Sequence, residues 1–159
     1  MTLFCYYFGF GATDSRKNLA ADIESYDAKV KVEDSLPTII GHAATLEIIM
    51  QNLVSNAIKF VAPSIRPEIY ISATESPSSY QFSVHDNGIG IDKAHATGIF
   101  KIFERLHTDN EYPGTGIGLA IAKKAVSLHE GKLWFDSNET GGSTFYFTIS
   151  KNIRHSGSQ

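Results

Sequence analysis

The stretch Ala43 to Phe60 constrains the fold more than any other part of the chain. At about 100° per residue, an α-helix here gathers Leu46, Ile49, Leu53, Ala57 and Phe60 onto one face. Pro63 then stops it. A helix that is apolar on one side only must bury that side against another layer. The sequence supplies the layer, because Glu68 to Thr74, Tyr80 to Asp86, Lys132 to Ser137 and Ser143 to Ile149 alternate as strands do. The first two are joined by a Ser/Pro turn. The last two flank Asn138 to Gly142 and close as a hairpin. A helix from Asp14 or Ser15 to Tyr26, a short strand around Val30 and Val32, and a helix from Ile117 to His129 stopped by Gly131 complete the pattern. The expected architecture is an α/β two-layer sandwich, with a mixed, mostly antiparallel sheet covered on one face by about three helices.

Length and charge narrow the function classes. The 159 residues fit one domain. A net charge of -3 gives no electrostatic reason to expect nucleic acid or an anionic membrane as partner. Cys5 is the single cysteine, so no internal disulfide can form, and a reducing cytoplasm is the expected location. Met1 to Gly11 is aromatic and apolar but too short to span a bilayer. Residues 1–13 are expected to be an edge strand or a remnant of a longer protein, 14–151 the domain, and 152–159 a flexible tail.

Three local patterns could carry chemistry. Asn52, Asn56 and Lys59 form a stripe beside the apolar face of the long helix. Two amides and an ammonium at the core's border suit a cation and a phosphate chain, although the same spacing also occurs on solvated helix faces. Asp86-Asn87-Gly88-Ile89-Gly90-Ile91 ends a strand. Its carboxylate could accept a hydrogen bond from an exocyclic amine, and its glycines allow close backbone approach; a plain turn is the alternative. Gly114-Thr115-Gly116-Ile117-Gly118-Leu119 runs into a helix, where successive amides and the helix N-terminus favour an anion. No strand feeds it, so the dinucleotide reading is weak.

Taken in order, Asn52/Asn56, Asp86/Gly88/Gly90, Gly114/Gly116/Gly118 and Gly141-Gly142-Ser143-Thr144-Phe145 resemble the N, G1, G2 and G3 boxes of the GHKL ATPase superfamily. Ile99 to Leu106 (IFKIFERL) resembles the F box of the sensor histidine kinases within it. The strings NLVSNAIKF from Asn52 and EYPGTGIGLA from Glu111 look most like phytochrome-type and hybrid sensor kinases. The resemblance spans about Asp14 to Lys151 and implies the Bergerat fold, with Asp92 to Pro113 as an ATP lid. It implies ATP and Mg²⁺ as cofactors. Asp86 would hold the adenine amine, with Thr144 supporting the same edge through water. Asn52 and Asn56 would hold Mg²⁺ and triphosphate oxygens beside Lys59. Gly88, Gly90, Ile91, Thr115, Gly116, Ile117, Gly118 and Leu119 would line the nucleotide. Asn52 and Arg105 are the catalytic candidates, Arg105 reaching the γ-phosphate. Gyrase-type hydrolases carry a glutamate at the position of Asn52, so the resemblance implies phosphoryl transfer to a histidine rather than rapid hydrolysis.

Some positions depart from the family pattern. His42 stands where an aspartate is usual and Ile48 where glutamine is common. Gly98 replaces a charged residue in the lid and should loosen that turn by about 1 kcal/mol. The six histidines are His42, His85, His95, His107, His129 and His155, and none has the setting of a phosphoacceptor. The resemblance therefore implies an acceptor and dimerisation domain acting in trans or from a missing part of the protein, with a response regulator as indirect partner. A nucleotide-dependent binding module of the anti-sigma-factor type is the competing class.

Overall fold

In the computed structural model, residues 14–92, 98–101, 116–138 and 141–152 are described. The elements run α1 (Asp14–Ser25), β1 (Lys29–Val32), α2 (Ala43–Lys59), β2 (Glu68–Glu75), β3 (Ser79–Asp86), α3 (Gly118–Ser127), β4 (Leu133–Ser137) and β5 (Ser143–Ser150). The predicted elements lie within a few residues of these bounds. Phe60 is the exception on the long helix: it caps α2 outside helical geometry (φ -92°, ψ 50°) rather than extending its apolar face.

Five strands form one sheet in the order β1-β2-β3-β5-β4. β1 runs parallel to β2, and the remaining pairs are antiparallel. The registers Ile71↔Val84 and Val84↔Phe145 put Ile69, Ile71, Phe82, Val84, Phe145 and Phe147 on one face, all buried. Helix α2 lies on that face through Leu46, Ile49, Leu53 and Ala57, as its periodicity requires. Helix α3 packs beside α2 and over β4 and β5, and α1 packs on α2. Phe82 and Phe147 stack at the centre with ring centroids 5.0 Å apart. The opposite face carries Lys31, Tyr70, Ser83, His85 and Tyr146, as the strand period of two demands.

The turn Gly98 to Lys101 is tied to this frame. Ile99 is buried in the core, and Phe100 meets Phe145 edge-on at 6.5 Å and Phe135 at 6.3 Å. The rest of the expected lid beyond Asp92, with Arg105, lies outside the described residues, as do Thr115, residues 1–13 and residues 153–159.

Candidate functional site

The site forms where the ends of α2, β3, β5 and α3 meet. Asp86 is the last residue of β3 and is buried. Its Oδ1 accepts two backbone hydrogen bonds, from the N–H of Gly88 (2.9 Å) and the N–H of Ser143 (3.1 Å). Among the described residues, Oδ2 has no hydrogen-bond partner and remains a strong acceptor. Burial pushes the Asp86 carboxyl above its ordinary pKa, while the Gly88 and Ser143 amides and the charge of nearby His85 pull it partway back.

The loop after Asp86 is closely seated. The Ile89 N–H donates to the Phe60 carbonyl (2.9 Å), joining the loop to the end of α2. A β-carbon on Gly88 would lie 2.4 Å from the Phe60 carbonyl oxygen, so only glycine fits. Asn87 holds the other side: its Oδ1 accepts from Glu68 N–H (2.8 Å) and its Nδ2 donates to the Arg66 carbonyl (2.9 Å). Gly142 packs on the Asp86 backbone with φ +80°, where a β-carbon would sit 2.0 Å from the Asp86 carbonyl oxygen. Asn87 was not singled out by sequence, because its partners are backbone groups about twenty residues away.

Asn52 and Gly118 meet across the cleft. The Asn52 Nδ2 donates to the Ile48 carbonyl (2.8 Å), and since a carbonyl can only accept, this fixes which end of the amide is oxygen. Oδ1 then faces α3, only 2.5 Å from where a Gly118 β-carbon would be. Asn56, one turn on, is half-buried, and its side-chain amide has no hydrogen-bond partner among the described residues. Lys59 is half-buried in the last turn of the same helix. Gly116 has φ +70°, and Ile117 is the N-cap of α3 without a side-chain cap, so the amides there carry no capping oxygen.

One candidate is placed elsewhere. The Thr144 side chain shares the sheet face of His85, whose Nδ1 its hydroxyl meets at 3.0 Å. Its neighbour Ser143 holds Asp86 instead. The Ser143 contact is made by its backbone N–H, whereas alternation along the strand turns the Thr144 side chain to the His85 face.

Residues 41–153 match the family described as histidine kinase-, DNA gyrase B- and HSP90-like ATPase. The chain belongs to this ATPase family. It is 46% identical over 132 residues to cyanobacterial phytochrome A of Nostoc sp., covering 83% of this chain and 17% of that protein. It thus spans about a sixth of the length of that relative. The catalytic domain of histidine kinase ThkA superposes with a TM-score of 0.71 at 26% identity, over 87% of this chain and 88% of that one. Full-length ShkA in complex with AMPPNP superposes with a TM-score of 0.68 at 25% identity, over 86% of this chain and 28% of that one. The fold is the Bergerat fold, and the chain carries an ATP-binding catalytic domain of histidine kinase type.

Proposed function

We propose that this domain binds Mg-ATP in the cleft between Asp86, Asn52 and the start of α3, and donates the γ-phosphoryl group to a histidine on a separate phosphoacceptor domain. The buried carboxylate of Asp86 carries this reading. Its Oδ1 is saturated by the Gly88 and Ser143 amides, which leaves Oδ2 to accept from the adenine N6 amine. Gly88, Gly90 and Ile91 bring backbone to the base, and Ser143 rather than Thr144 supports the same edge.

At the phosphate end, the uncapped amides of Gly116, Ile117, Gly118 and Leu119 offer an anion site at a helix N-terminus. Thr115 is assigned there from sequence alone. The donor set fits Mg²⁺: Asn52 Oδ1 lies beside Gly118 at the start of α3, the Asn56 amide has no partner among the described residues, and both are the hard oxygen ligands that this ion takes. When bound, the ion neutralises charge on the triphosphate. Lys59 adds a positive charge beside it, and Arg105 is assigned to the γ-phosphate. Asn52 is no base at neutral pH and cannot itself activate water, so transfer to a histidine is favoured over hydrolysis. The acceptor acts in trans or from another part of a longer protein, a response regulator receives the phosphoryl group downstream, and the domain works in the cytoplasm.

The test mixes the protein with γ-labelled ATP and a separate phosphoacceptor helical hairpin, alongside Asp86→Asn and Asn56→Ala. Label on the hairpin that disappears in both variants is the expected result. Nucleotide binding with no transfer to any acceptor would instead favour a binding module of the anti-sigma-factor type.

A further inference from the structure

A serine hydroxyl both donates and accepts, so one side chain can satisfy the two backbone groups of a single residue. Ser137 does this for Ile91. The Ile91 N–H donates to Ser137 Oγ (3.3 Å), and the Ser137 hydroxyl donates back to the Ile91 carbonyl. Ser137 is the last residue of β4 and faces Ser143 in the hairpin register. Ser143 in turn donates its N–H to Asp86. The residue pair that closes the β4–β5 hairpin therefore grips both ends of the loop from Asp86 to Ile91, and Phe60 of the α2 end holds its middle through Ile89.

Among the described residues, the loop and the hairpin turn also approach each other as backbone. A β-carbon on Gly90 would be 3.4 Å from the Gly142 carbonyl oxygen. Ser137 is a side chain that fastens the far end of the loop. We infer that Ser137 is a positioning residue of the nucleotide site: its hydroxyl sets the base end of the pocket by fixing Ile91 against β4. This inference rests on the nucleotide-site reading of Asp86.

Because the loop meets the base and not the phosphates, its loosening should weaken ADP and AMPPNP alike. Both affinities are measured calorimetrically for the wild type, Ser137→Ala, Ser137→Thr and Asp86→Asn, with circular dichroism confirming the fold of each. Ser137→Ala is expected to bind both nucleotides about fivefold more weakly, the loss expected for hydrogen bonds to one hydroxyl. Ser137→Thr keeps the hydroxyl and is expected to restore affinity to within about twofold of the wild type. Wild-type affinity in Ser137→Ala, a Ser137→Thr variant no better than it, or a loss confined to AMPPNP would overturn the inference. Unchanged affinity in Asp86→Asn would instead overturn the site reading beneath it.

Discussion

At Asp86, the charge proposed to recognise the nucleotide is a cost to the unliganded fold. Burial raises its folded pKa above the unfolded value, so between those two values the folded state holds more protons. Unfolding free energy then falls as pH rises through the folded pKa, and the neutral-pH carboxylate opposes folding. Asparagine keeps an oxygen for the Gly88 and Ser143 amides while removing that charge. Asp86→Asn is therefore expected to melt no lower than the wild type, yet to bind ATP about 10- to 100-fold more weakly, since a charged acceptor becomes a donor. Differential scanning calorimetry and nucleotide titration separate the two effects. The same ionisation gives binding a pH dependence: affinity should fall as pH drops through the raised pKa, sooner than for an ordinary aspartate. A titration series down the acid range checks this, and Asp86→Asn should lack the dependence.

Among the elements, Gly142 and His129 help to hold the helices and hairpin in place. Gly142 combines a φ of +80° with a β-carbon position 2.0 Å from the Asp86 carbonyl oxygen. Gly142→Ala is expected to destabilise the fold by more than about 2 kcal/mol in urea unfolding, since strain and collision add. His129 is buried at the C-terminal end of α3. Its Nδ1 donates to the Ala125 carbonyl (3.0 Å) and its Nε2 accepts from His42 N–H (3.2 Å), tying α3 to the start of α2. His129→Leu fills the space but leaves both backbone groups unpaired, and is expected to cost about 1–3 kcal/mol by the same measurement.

The elements were legible in sequence because their signal is local. The stripe Leu46, Ile49, Leu53 and Ala57 could only face a sheet, and it does. The side chains that fasten distant backbone were not legible, since Asn87, Ser137 and His129 act on groups that only the fold brings near. The resemblance points to Thr144 at the base edge; the register His85↔Thr144 puts its side chain on the face of His85.

On the scale of the whole molecule, one core serves four motifs that are scattered along the chain. The N-box helix α2 meets the G1 loop through Phe60 and Ile89, and meets the G2 helix through Asn52 and Gly118. G1 meets G3 through Asp86 and Ser143. Loss of central packing should therefore remove stability and nucleotide binding together. Phe147 is fully buried and stacked on Phe82, and Phe147→Ala is expected to cost about 3–5 kcal/mol.

The most direct measurement of the central claim is a calorimetric titration of the wild type and Asp86→Asn with ATP in the presence of Mg²⁺. Saturable binding at one site in the wild type, reduced at least about tenfold in Asp86→Asn, is the expected result. Equal affinity in the two proteins would contradict the assignment of Asp86 as the residue that recognises the base.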